Sequence, residues 1–355
     1  MQRITLLEVA ERAGVSVSTV SRSLANHPRI PLETRQRICN LAKEMGYRPD
    51  PALSALVSHR QGINRPGDGA NLAFLTDLGE DHLNAYYQGI FDGAKAEVKA
   101  MGYCIERFDF HKYPNPSAVG RVLEQRGVAG LIVCPIHESR VLNEFPWEKF
   151  SNVGFLLPIY HPQVHMVRDN SFRTVYEAFM TAARRGYRRP GLVIYTERRS
   201  ANTIRQLGGQ YAAQASYKDW IDPLDPLILS STPHDTERIR EWLKVQRADC
   251  VICTNTTLFW ILQDMGLRIP DDLGFITLWL EPNDPGFSGF TPRTGQIGQV
   301  LVNLLDGLIK RNERGLAEHP IVSLVNRVWV EGKTLPMRRA ETISDSEVFD
   351  ENLLP

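Results

Sequence analysis

Residues 5–24 read TLLEVAERAGVSVSTVSRSL, a pattern that predicts two short helices around a tight turn. Thr5 can cap the first helix, and Glu8 three residues later can close a capping box. Val9, Ala10 and Ala13 then fall on one face. Gly14 stands where the chain turns sharply, a place that favours a residue free to take positive φ. Ser16 can cap the second helix by accepting a bond from an unpaired backbone N–H. Val15, Val20 and Leu24 face the first helix, which leaves Val17, Ser18, Ser21 and Arg22 outside. Small hydrogen-bonding side chains and one Arg suit a helix that lies in a DNA major groove. An ordinary αα-hairpin with a solvated outer face is the plainer alternative. The residues that follow favour a helix-turn-helix.

A third helix is expected from Leu32 to Met45, with Ile38, Leu41, Ala42 and Met45 as its buried stripe and Gly46 ending it. Pro31 is tolerated at its first turn, where the missing N–H would be unpaired anyway. Residues 50–58 read DPALSALVS, with Asp50 as cap and Pro51 at the first helical position. That segment is shorter than the ~12–15 residues at which an isolated helix becomes even marginal, so it needs a partner to fold. His59 to Ala70, with Gly62, Pro66, Gly67 and Gly69, reads as a linker.

Charge separates the two parts of the chain. The 355 residues carry 41 basic and 41 acidic side chains, so the whole offers no basic signal. Residues 1–60 hold nine Arg or Lys against five acids, a local +4 expected of a phosphate-contacting module. The length suits a small domain plus a larger one. The 43% hydrophobic and 23% charged content is that of a soluble globular protein. No signal-peptide pattern and no apolar run near the roughly 20 residues of a membrane span occurs, which leads to the expectation of a cytoplasmic protein. Five scattered cysteines suggest reduced, buried thiols. Cys250 and Cys253 form a CxxC on an expected strand, where residues three apart point to opposite faces and cannot chelate one metal. No metal or cofactor is expected.

From Asn71 onward strands and helices alternate. Strands are expected over 72–75, 103–110 and 129–134, with helices over 85–101 and 117–126. The helix 85–101 should bury Tyr87, Ile90, Phe91, Ala94, Val98 and Met101. The rhythm returns with helices over 171–185 and 236–245, strands over 191–195, 250–253 and 274–277, and a long helix with Ile297, Leu301, Leu304, Leu305 and Leu308. Repeated βα units imply parallel sheets covered on both sides, here as two subdomains with a cleft between them. Ligands in such folds bind beyond the carboxyl ends of strands. That rule selects Thr76 and Asp77, Pro135, Thr196, Asn255 and Thr256, and Leu278 and Trp279.

The run from Thr5 to Arg22 resembles the headpiece of the lactose-repressor/galactose-repressor (LacI/GalR) family. The likeness continues through Thr34-Arg35, Ile38, Ala42, Gly46-Tyr47 and Pro49, and more weakly along nearly the whole chain. The resemblance implies an all-α helix-turn-helix headpiece (1–49), a hinge helix (50–58), a linker (59–70), an effector-binding and dimerisation domain of the α/β type I periplasmic-binding-protein fold with two doubly wound subdomains (71–340), and a C-terminal tail (341–355). It makes Thr5, Ser16, Val17, Ser18, Ser21, Arg22 and Arg29 candidates for DNA contact. It also pairs the hinge helix with its twin in the minor groove, where Leu56 would wedge into a base step beside Leu53. Effector candidates are Thr76, Asp77, Pro135, Arg205, Asn255 and Trp279. Arg205 precedes Gly208 by three residues, as an inducer-contacting Arg does in the family. Asp169-Asn170 resembles the pair that opens the second subdomain's first helix, with Asp169 as cap or ligand.

Two departures bear on the ligand. Relatives often carry acids after the strand that ends here at Thr277, and this chain reads Leu278-Trp279-Leu280 before Glu281. Where many have Asp after Asn255, this chain has Thr256. An indole can stack on a sugar ring or an aromatic ligand. The expected function is a homodimeric repressor that binds a near-palindromic double-stranded operator under control of a small effector, a carbohydrate or related metabolite. The C-terminal tail lacks a useful leucine heptad, which favours a dimer. A ligand-independent architectural DNA binder is the alternative. An enzyme is disfavoured, since no dinucleotide fingerprint, Walker loop or G-x-S-x-G elbow appears.

Overall fold

A computed structural model describes residues 4–24, 30–47, 71–76, 85–135, 143–155, 163–196, 201–230, 235–254, 256–281 and 286–338. Arg29, residues 50–58, Asp77 and Asn255 lie outside them.

The N-terminal unit is three helices, α1 (Leu6–Ala13), α2 (Val17–Leu24) and α3 (Leu32–Glu44). The capping box forms: Thr5 Oγ1 accepts from the Glu8 N–H at 3.3 Å, and the Thr5 N–H donates to Glu8 Oε2 at 2.6 Å. Gly14 ends α1 at φ 67°, the left-handed conformation anticipated for it. Ser16 Oγ accepts from the Thr19 N–H at 3.1 Å, so α2 is capped as expected. Val9, Ala10, Ala13, Val20, Ile38 and Ala42 form the core, with Val15, Leu24, Leu41 and Met45 packed around it. Arg37 of α3 donates to the Ala13 carbonyl at 3.3 Å and so caps α1 from outside.

The remainder is two six-stranded sheets. The first has the order β11-β5-β4-β3-β1-β2, with β1 Asn71–Thr76, β2 Cys104–Asp109, β3 Val128–Val133, β4 Ser151–Gly154, β5 His165–Asp169 and β11 Val322–Val325. The second has the order β12-β10-β9-β8-β6-β7, with β6 Pro190–Tyr195, β7 Leu227–Leu229, β8 Cys250–Cys253, β9 Gly274–Thr277, β10 Gly289–Thr291 and β12 Val328–Val330. Every pairing is parallel except β10 with β12. Each sheet has an apolar core on both faces. Cys250 joins one core of the second sheet and Cys253 the other, as strand alternation requires.

The chain crosses between sheets three times: after β5, between β10 and the helix Thr294–Lys310, and between β11 and β12. The long helix therefore does not serve the second block, as its place in the chain suggests. Ile297, Leu301, Leu305 and Leu308 pack into the first sheet's core beside Phe74, Ile90 and Val153. The helix Ala85–Met101 also differs from expectation. Its buried stripe is Tyr86, Ile90, Ala94 and Val98, one position earlier than Tyr87, while Met101 is exposed. Phe91 is only half-buried and takes the Arg107 guanidinium on its ring face at 3.9 Å.

These two helices meet through small residues. A Cβ on Gly93 would lie 2.2 Å from the Gly295 carbonyl oxygen, and one on Gly298 would lie 2.2 Å from that of Ile90. Only backbone fits there. A Cβ on Gly295 itself meets nothing within 4 Å. We expect Gly298→Ala to destabilise the protein by about 1–3 kcal/mol through overpacking. Gly295→Ala should be neutral or stabilising by up to ~1 kcal/mol through helix propensity. Urea denaturation of the two variants checks the contrast.

Candidate DNA-reading helix and inter-sheet seam

The outer face of α2 is built as the sequence implies. Val17, Ser18, Ser21 and Arg22 are exposed, while Val20 and Ser23 are buried. Ser16 is exposed but spends its oxygen on the Thr19 N–H and on hydroxyls of Ser18 and Thr19 at 2.9 and 2.8 Å. It therefore holds the start of the helix in shape. Thr5 is exposed at the start of α1, with its side chain committed to Glu8. The reading surface is short, rigidly capped and ends in one cation at Arg22.

The second site lies where the two sheets meet. Asp169, the last residue of β5, is 3% exposed and accepts from the Tyr86 hydroxyl at 2.8 Å and from Arg327 at 3.1 Å. Arg327, whose side chain is 9% exposed, leads into β12 and also donates to the Leu278 carbonyl just beyond β9. Its guanidinium lies 4.7 Å from the Trp279 ring centroid, and that ring lies 4.7 Å from Tyr86. Burial and then the Asp169 charge push the Tyr86 phenol well above its ordinary range, so it stays protonated and donates. Beside this pair, the Asn170 amide donates to Asn326 Oδ1 at 3.0 Å, joining two of the crossings.

Asp169 is thus not the cap of the helix Ser171–Arg184. That role falls to Asn170, whose side chain accepts from the Arg173 N–H at 3.2 Å. Trp279 is half-buried and packs against the first sheet's core although it follows β9 of the second. Of the other effector candidates, Thr76 is 2% exposed at the end of β1 and Pro135 is half-buried after β3. Arg205 is not on a solvated face: it is half-buried, and its Nε is shielded without a hydrogen-bond partner. Trp279 and Arg205 belong to different parts of the seam, Trp279 with Tyr86 and Arg327, and Arg205 near Arg168, whose charge acts on it. Sequence reasoning missed Tyr86, Arg168 and Arg327. A buried Arg has no signature distinct from a surface one, although the apolar Val328-Trp329-Val330 after Arg327 hinted at burial.

Among the described residues no group of three or more His, Cys, Asp or Glu could hold a metal ion, and no helix is long and apolar enough to cross a membrane.

Residues 5–50 match the sequence profile of the family described as "Bacterial regulatory proteins, lacI family". The catabolite control protein A of Staphylococcus epidermidis is 23% identical over 93% of this chain and 99% of its own length. Two solved structures share the fold across 94% of this chain and 100% of theirs. One is a transcriptional regulator CelR–cellobiose complex, with a TM-score of 0.58 and 19% identity. The other is the lac repressor dimer bound to operator and an anti-inducer, with 0.57 and 16%. The chain thus carries a LacI-family DNA-binding domain at its N-terminus, and the relatives it resembles along its length are transcription regulators. Its architecture is a helix-turn-helix headpiece followed by two parallel-sheet α/β subdomains, and its relatives are regulators rather than enzymes.

Tyr86→Phe removes one of the two donors that hold the buried Asp169 carboxylate. The expected cost is about 1–3 kcal/mol, read as a lower urea midpoint with an unchanged slope.

Proposed function

We propose that the chain is a repressor that binds a near-palindromic operator as a homodimer, its affinity set by a carbohydrate or related metabolite held between the subdomains. The observation that carries the DNA half is α2, capped at Ser16, with Val17, Ser18, Ser21 and Arg22 exposed together on a basic headpiece. One such helix covers too few base pairs for useful specificity, and two-fold symmetry doubles the readout. Val17, Ser18 and Arg22 reach base edges, while Thr5, Ser16, Ser21 and Arg29 complete the DNA-contacting set. Residues 50–58 act as a hinge that folds against its twin on DNA, with Leu53 and Leu56 at the minor groove. The division into headpiece 1–49, hinge 50–58, linker 59–70, sensor 71–340 and tail 341–355 belongs to the same reading. The operator and anti-inducer bound by the lac repressor dimer, and the cellobiose bound by the other neighbour, support it by analogy of fold.

The effector half rests on Arg205. A half-buried guanidinium that forms no ion pair among the described residues, at the carboxyl side of the second sheet, fits a ligand-binding group better than a structural one such as Arg327, which has Asp169. Thr76, Asp77, Pro135, Asn255 and Trp279 complete the effector set by their strand-end positions.

Selection from random DNA should return a near-palindrome with two matching half-sites. Arg22→Ala should weaken binding to it by about 1–3 kcal/mol at one base position per half-site, with a smaller salt dependence of non-specific binding left in place. Asymmetric sites, or none, would refute the dimeric reading.

A further inference from the structure

Arg168 and Arg205 are half-buried and form no ion pair with a carboxylate among the described residues. Arg168 stands at the carboxyl end of β5, and Arg205 lies early in the helix Ala201–Ser216. The Ser171 hydroxyl donates to Asn202 Oδ1 at 2.6 Å, which joins the starts of the helices Ser171–Arg184 and Ala201–Ser216. The helices then run so close that a Cβ on Gly209 would sit 2.4 Å from the Phe172 carbonyl oxygen. Arg205 is one helical turn before Gly209, and Arg168 precedes Phe172 by the same number of residues. Each Arg lies three residues from the bonded Ser171–Asn202 pair, and the charge of Arg168 acts on Arg205, so the two cations are neighbours at the seam.

Nε of each is shut off from solvent and without a hydrogen-bond partner. Nε of Arg107 and Arg327 is likewise without a partner, but those guanidiniums, like those of other shielded arginines, are served through another nitrogen. Arg185 has Glu331 and the Leu335 carbonyl, Arg189 has Asp222 and Gln246, and Arg327 has Asp169. Burial, then the neighbouring charge of Arg168, holds Arg205 down to about 10, and burial also lowers Arg168. Both remain cationic near neutral pH. Two like charges withdrawn from water without a counter-charge are costly unless something supplies one. The seam's other rim does not, since the segment after β9 reads Leu278-Trp279-Leu280 and its first acid is the exposed Glu281.

We propose that Arg168 and Arg205 form an oxyanion subsite, so that the effector is an anionic small molecule, a sugar acid or a phosphorylated sugar, rather than a neutral sugar. The inference rests on the effector reading above and names its charge class. Two planar forks can each take a carboxylate or phosphate edge through paired N–H donors.

The test is thermal unfolding of the full-length chain in inorganic phosphate, acetate or chloride at matched ionic strength. Wild type should show a saturable rise in Tm with phosphate or acetate over chloride. Arg168→Gln and Arg205→Gln should each lose it. Arg173→Gln, which removes an exposed cation paired with Glu177, should keep it. Which anion works separates the phosphate class from the carboxylate class. In chloride alone, Arg168→Gln should raise Tm by relieving like-charge repulsion, whereas loss of a merely structural Arg would lower it. No anion-specific rise in wild type, or an equal rise in Arg168→Gln, overturns the proposal. Stabilisation by D-glucose through Arg205, with none by either anion, would overturn the anionic class and leave the effector reading standing.

Discussion

One carboxylate, Asp169, is shared between the two halves of the α/β body. It ends β5 of the first sheet, accepts from Tyr86 of the helix that follows β1, and pairs with Arg327, which in turn holds the Leu278 carbonyl beyond β9 of the second sheet. Both charged groups are buried. Such a pair is weak evidence for stability, because desolvation offsets much of the attraction. Removing one partner is another matter and costs about 3–5 kcal/mol, since the other charge is left buried and alone. The constraint therefore specifies an arrangement. Trp279 packs between Tyr86 and Arg327 at the same junction.

A seam joined by one buried ion pair, with two cations beside it that have no ion-pair partner among the described residues, gives a ligand a place to act on the junction. A ligand shifts a two-state equilibrium only by its difference in affinity for the two states, typically ~1–3 kcal/mol of coupling. Arg168 and Arg205 lie close to the crossing after β5, where the Ser171 hydroxyl bonds Asn202. The headpiece needs none of this to fold. Its core of Val9, Val20, Ile38 and their neighbours is closed within α1–α3, and its caps are local.

Local rules made the headpiece legible. Thr5, Glu8, Gly14 and Ser16 act through contacts within a few residues, and the structure shows them in the roles their types imply. The alternation after Asn71 was enough to expect two parallel-sheet blocks. It could not assign the long helix Thr294–Lys310 to the first sheet, because that depends on where the chain crosses back, and no periodicity encodes a crossing. The strands β4, β7 and β10 were missed because three or four residues carry little pattern of their own, whereas β8 and β9, of four residues each, were legible from the βα rhythm around them. In the helix Ala85–Met101 the apolar residues outnumber one stripe, so Tyr87 and Tyr86 could be told apart only by what they face. The seam was the least legible part. Asp169-Asn170 drew attention as a pair, yet their roles depend on Arg327 and Asn326, more than 150 residues away.

The account stands or falls on whether Asp169 and Arg327 act as one unit across the seam. A double-mutant cycle with Asp169→Asn and Arg327→Met, followed by urea denaturation, measures that coupling directly. Each single variant should lose about 3–5 kcal/mol, and the double variant should lose far less than their sum, with a coupling energy in the upper part of the ~0.5–3 kcal/mol range seen for contacting residues. Losses that simply add would mean that the two side chains contribute separately, and that the halves are held together by something else.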